Sequence, residues 1–159
     1  MSGGPAERLI GLLEGLSRVS ADADPRRRGS LARLQLDTLE LLKGKENTLT
    51  DAQRETIERI RAASGFAALE SEATSLSESS RPDEWKKALS LWREIEKKTR
   101  PGSPRYFRVK LALAQLQLRL GNPEQARSII TMTALLYPEM GGVAMKSRFD
   151  ALLERCPSP

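Results

Sequence analysis

The feature that most restricts this chain is its punctuation: runs of apolar residues at steps of three and four, each bounded by proline, glycine or short polar breaks. Behind Pro5, the residues Leu9, Ile10, Leu12, Leu13, Leu16 and Val19 form one such run. That is the period of an amphipathic helix, and proline fits a first helical turn. A polar stretch, Ser20 to Arg28, interrupts the pattern. A second stripe then starts near Ser30 with Leu31, Leu34, Leu41 and Leu42, widened by Leu36 and Leu39, and is expected to end near Gly44. Thr50 and Gln53 have the spacing of a capping box, which predicts a third helix carrying Ala52, Ile57, Ile60 and Ala63. Gly65 either ends that helix before a separate segment with Phe66, Leu69, Ala73 and Leu76, or lies inside one long helix.

Pro82, followed by Asp83 and Glu84, predicts the start of a further helix with the stripe Trp85, Ala88, Leu89, Trp92 and Ile95. Pro101-Gly102-Ser103-Pro104 is a turn. From Tyr106 to Leu120 the apolar residues alternate, as in a strand, but the length and the alanines at 112 and 114 favour a helix. Gly121-Asn122-Pro123-Glu124 turns the chain into a helix with Ile129, Ile130, Thr133, Leu135 and Leu136, ending at Tyr137-Pro138. A last helix after Gly141-Gly142 uses Val143, Met145, Phe149, Leu152 and Leu153, and the tail Pro157-Ser158-Pro159 is expected to fray.

Part of this pattern carries a resemblance. Ala126 stands five residues after Gly121 and Pro138 twelve beyond that, with Leu113 and Ile130 at the matching packing positions. Residues Phe107 to Pro138 therefore resemble a tetratricopeptide repeat. A degraded copy precedes it, in which Ala88, Trp92 and Ile95 take the spacing of Ala126, Ile130 and Thr133, and Pro101 closes the helix. The two alanines are 38 residues apart, against the usual period of ~34. The resemblance implies an all-α, right-handed stack of antiparallel helical hairpins with about six or seven helices. Residues 50–159 would hold the repeat-like hairpins and a C-terminal capping helix, and residues 1–49 a helical pair that is either a divergent repeat or a dimerisation element.

In that family the first helix of each hairpin lines a concave groove. The resemblance thus implies that Arg108, Leu111, Gln115, Leu118 and Arg119 face a partner, with Arg105 beside them and Lys110 adding to the positive charge. The family's carboxylate clamp needs Lys and Asn where this chain has Leu111 and Gln115, so the clamp is not carried over. Charge-assisted hydrogen bonds from these arginines suit an acidic peptide or protein.

Composition sets the remaining limits. Net charge is +5, which admits acidic proteins and nucleic acid alike. Arg26-Arg27-Arg28 is the densest basic cluster and a candidate phosphate contact, but Asp22 and Asp24 precede it and no aromatic platform accompanies it. Nucleic acid is therefore the second partner class and self-association the third. Trp85 and Trp92 share a helical face and are read as core rather than as a ligand cage.

Histidine is absent and Cys156 stands alone, which removes the commonest general base and any thiolate metal site. Gly44-Lys45 fails as a phosphate loop, because Leu39 occupies the position of the first glycine. The sequence predicts no catalytic residue, no metal and no cofactor. The opening residues lack a basic segment followed by an apolar one, and no run reaches the ~20 apolar residues of a membrane span. A cytoplasmic protein without membrane insertion is expected.

Overall fold

The computed structural model describes residues 4–45 and 48–157. Among them the apolar stripes become seven helices and no strand. The helices are α1 (Pro5–Ala21), α2 (Pro25–Leu41), α3 (Asp51–Glu78), α4 (Pro82–Lys98), α5 (Pro104–Arg119), α6 (Pro123–Leu136) and α7 (Val143–Glu154). Ser158 and Pro159, the end of the tail expected to fray, lie outside the described residues. The chain divides within α3, between Glu72 and Ala73, into two compact units.

In the N-terminal unit, α1 packs on α2, and Ile10, Leu13, Leu39, Leu42, Leu49, Ile57 and Ile60 form the core. The capping box at the start of α3 is present: the Gln53 amide donates to Thr50 Oγ1 at 3.2 Å and the Thr50 amide to Gln53 Oε1 at 2.9 Å. α3 then runs through Gly65 without a break.

The second helix departs from its expected bounds. It starts at Pro25, because the Asp24 carboxylate accepts from the amides of Arg26 and Arg27, both at 3.0 Å. Those amide bonds, that of Arg27 first, hold the Asp24 carboxyl below its ordinary pKa. The buried face of α2 also differs from the expected leucine stripe. Leu34 and Leu41 are 48% and 63% exposed, while Ala32, Gln35, Leu39 and Leu42 are buried.

Gln35 is the reason. Its Nε2 donates to Ser17 Oγ on α1 at 2.8 Å, and its Oε1 accepts from Ser64 Oγ on α3 at 2.8 Å. One amide thus ties three helices together with its polar atoms satisfied.

Gly29 marks a second close approach in this unit. A Cβ built there would lie 2.0 Å from Ser71 Oγ and 2.4 Å from Ser71 Cβ. The hydroxyl could rotate away, but the Cβ is fixed to the α3 backbone, so any side chain forces the helices apart. Gly29→Ala is expected to destabilise the N-terminal unit by about 1–3 kcal/mol. Unchanged stability in urea unfolding would show that α2 and α3 do not meet there.

In the C-terminal unit, α5 packs on both α4 and α6, and α7 covers α5 and α6. The main cluster joins Tyr106, Phe107, Leu111 and Ala114 of α5, Ile130 of α6, Met140, and Phe149 and Leu152 of α7. Rings of Tyr106, Phe107 and Tyr137 meet edge-on, with centroids 5.4–5.6 Å apart. Partners on several sides explain the strand-like alternation of α5: residues at nearly every angle of this helix are buried, so no narrow stripe survives in its sequence.

The expected stripe of α4 is buried at Ala88, Trp92 and Ile95. The Trp92 indole donates to Ser77 Oγ at 3.0 Å and that of Trp85 to the Ser79 carbonyl at 2.7 Å, so both rings are built into the junction of α3 and α4. Between α5 and α6, Gly121 has a φ of +79°. Its amide donates to the Leu118 carbonyl at 3.1 Å, and that of Asn122 reaches back to Gln117 at 2.9 Å. This is a Schellman ending, which requires a left-handed residue at the glycine position. Ala126 is fully buried just beyond the turn.

Candidate functional site

The residues proposed from the sequence as a partner surface separate into two groups on α5. Arg108, Gln115 and Arg119 are exposed, and their spacings of seven and four place them on one stripe of the helix. Leu111 is not on that surface. It is 3% exposed, within the cluster that holds Phe149 and Leu152, and Leu118 is half-buried against the same cluster. The expectation that Leu111 lines an open groove is corrected by α7, whose aromatic and leucine side chains cover that flank of α5.

Arg119 has structural work at the end of the stripe. Its guanidinium stacks over the Trp85 ring, 5.7 Å from the centroid, and donates to the Ser77 carbonyl. Lys110 is likewise engaged: it pairs with Glu96 and lies 5.3 Å from the centre of the Tyr106 ring. It faces a different recess, of about 300 Å³, that it shares with Arg93, Glu96, Gln117 and Gln125.

At the other end of the stripe, Arg105 and Arg108 line a recess of about 480 Å³ together with Lys98, Thr99, Arg100, Ser103 and Pro104. Three consecutive pieces of chain build it: the last turn of α4, the loop to α5 and the first turns of α5. The loop is held closed from within. Ser103 Oγ donates to the Arg100 carbonyl at 2.7 Å and accepts from the Tyr106 amide at 3.2 Å. Thr99 Oγ1 donates to the Ile95 carbonyl at 2.7 Å. Both hydroxyls therefore serve the fold, and the charged groups of the rim are Lys98, Arg100, Arg105 and Arg108.

Sequence reasoning found Arg105 and Arg108 but missed Lys98 and Arg100. Their signal was present in the basic residues on either side of the Pro101-Gly102-Ser103-Pro104 turn, which folds them toward one point.

Arg26, Arg27 and Arg28 occupy the first turn of α2. Arg26 and Arg27 are exposed, whereas Arg28 folds back and donates to the Ala23 carbonyl at 3.0 Å. Cys156 is 3% exposed with its thiol against the Leu152 carbonyl at 3.5 Å. Arg127 fixes the adjacent chain through the carbonyls of Cys156 and Pro157, at 2.7 and 2.8 Å. Among the described residues no helix is long and apolar enough to cross a membrane. No protein-family model, no curated protein and no solved structure matches this chain.

Proposed function

We propose that this chain is a non-catalytic interaction module with tetratricopeptide-like hairpins in a right-handed arrangement, which holds a partner protein or peptide along the polar stripe of α5. The observation that carries this reading is the contrast within α5 itself. Tyr106, Phe107, Leu111, Leu113 and Leu116 are buried, yet Arg108 and Gln115 stay exposed on one stripe that begins at a basic recess. A helix enclosed on its other sides holds the backbone positions of those side chains fixed, so little backbone entropy is lost when a partner engages them. The positive charge selects for acidic partners and speeds their encounter.

Arg108→Glu and Gln115→Ala each replace an exposed side chain, so helicity is expected to remain unchanged. In affinity capture from native cell extract, a nuclease-resistant protein partner is expected with the wild type and lost with both variants. Retention at wild-type level by both variants would remove the α5 stripe as the binding surface. A catch that disappears with nuclease and with salt, and is indifferent to both substitutions, would instead assign the chain to nucleic acid.

A further inference from the structure

We infer that the outer face of the α1–α2 hairpin binds a second copy of this chain, forming an antiparallel four-helix bundle. Leu12 and Val19 of α1 and Leu34 and Leu41 of α2 are 48–63% exposed. The members of each pair are seven residues apart, two helical turns, so they share a stripe. Each of the four directly precedes a buried or half-buried residue: Leu13, Ser20, Gln35 and Leu42. The link of three residues between Ala21 and Pro25 makes the two helices antiparallel, so an offset in the same sense puts both stripes on the same side of the hairpin. The bond between Ser17 and Gln35 sets the level of one helix against the other. Counted from it, Leu12 lies beside Leu41 and Val19 beside Leu34, each to within one residue. The four side chains therefore form one apolar patch, with two members at either end.

The patch is complementary to itself. A half-turn about an axis across the helices exchanges its two ends. Leu12 of one copy then lies over Val19 of the other, and Leu34 over Leu41, so apolar meets apolar throughout. This is the isologous pairing of a two-fold dimer, with the spacing of an antiparallel bundle. Size agrees. Two helices of 17 residues each present a face of roughly 25 by 20 Å, so the pair encloses about 1,000 Å², the lower limit for a specific interface. The rim charges agree as well. Arg33 and Glu40 are exposed, and each stands one residue before an exposed leucine of α2, so both lie along one edge of its stripe. The same half-turn sets Arg33 of one copy against Glu40 of the other, and the reverse. Glu40 pairs with Lys43 in its own chain, but those side chains are 66% and 65% exposed, and solvent weakens the pair. The half-turn also brings the two Asp37 carboxylates toward each other at the axis, a like-charged contact that pairing α1 with α2 of the other copy would not make.

The test is sedimentation equilibrium of the full chain from about 1 to about 300 µM. The expected result is a reversible equilibrium between the 17.6 kDa chain and its dimer, with a dissociation constant on the order of 10 µM. Leu34→Lys/Leu41→Lys puts four ammonium groups into the contact and is expected to weaken the dimer at least about 100-fold. Both residues are exposed, so the circular dichroism of the monomer should be unchanged. Leu135→Lys, at the exposed apolar end of α6, should leave the dimer as it is. Arg33→Glu and Glu40→Arg are each expected to weaken the dimer about threefold to tenfold, and the two together to restore it. Asp37→Asn should tighten it by about the same factor. The inference is overturned by a chain that stays monomeric at the highest concentration, by a dimer that survives Leu34→Lys/Leu41→Lys or is lost in Leu135→Lys, or by a double charge variant no tighter than the single ones. A monomeric chain that captures a different protein, and loses it in Leu34→Lys/Leu41→Lys, would give the face to that protein instead.

Discussion

Phe149→Ala is expected to lower the stability of the C-terminal unit by about 3–5 kcal/mol, the usual cost of emptying a buried aromatic site. The ring has no solvent exposure and belongs to the cluster that joins α5, α6 and α7. Since a domain of this size has about 5–15 kcal/mol in total, such a loss would leave α7 released in a measurable fraction of molecules. Leu111, covered by α7 in the folded chain, would then become accessible. Urea unfolding followed by circular dichroism should show the lowered midpoint, and an apolar dye should bind the variant but not the wild type. A midpoint within experimental error of the wild type would mean that α7 does not cover this flank of α5 in solution.

Gly121→Pro is expected to be at least as damaging, by about 3 kcal/mol or more. Proline fixes φ near −65°, whereas position 121 has a φ of +79°. It also deletes the amide that donates to the Leu118 carbonyl. Gly121→Ala keeps that amide and meets only the left-handed penalty, about 1–2 kcal/mol. The ordering Pro worse than Ala worse than Gly, read as urea midpoints, is the diagnostic result. An equal midpoint for the proline variant would show that the turn between α5 and α6 is placed wrongly.

These two sites also show what a sequence makes legible. Gly121, Ala126 and Pro138 were readable because turn chemistry and close helix packing each demand a particular residue type at a particular spacing. The stripe Ala88, Trp92, Ile95 was readable because α4 buries a single face. α2 was misread for the complementary reason. Its contact face runs through Ala32, Gln35, Leu39 and Leu42, and a reading based on apolar periodicity passes over a glutamine. Only the hydroxyls of Ser17 and Ser64, brought from other helices, make Gln35 an interior residue.

The early start of α2 follows from Asp24, a capping residue within a stretch that composition alone marks as a break. At the candidate site the same limit applied. The resemblance put Leu111 at a groove position, and nothing local to it announces that it will be buried in one cluster with Phe149 and Leu152. The recess needed Lys98, Arg100, Arg105 and Arg108 to converge, which depends on how tightly the intervening turn closes.

The placement of the aromatic residues has a practical outcome for anyone following this protein in solution. Trp85, Trp92, Tyr106 and Tyr137 all lie after residue 72, and Phe66 is the sole aromatic residue before it. Intrinsic fluorescence from tryptophan and tyrosine therefore originates entirely in the C-terminal unit, where the indole of Trp92 is buried. The helical amide signal sums over both units. A fluorescence melt that does not superimpose on the amide melt would separate the unfolding of residues 73–159 from that of the leucine-rich helices before them, without a label or a truncation.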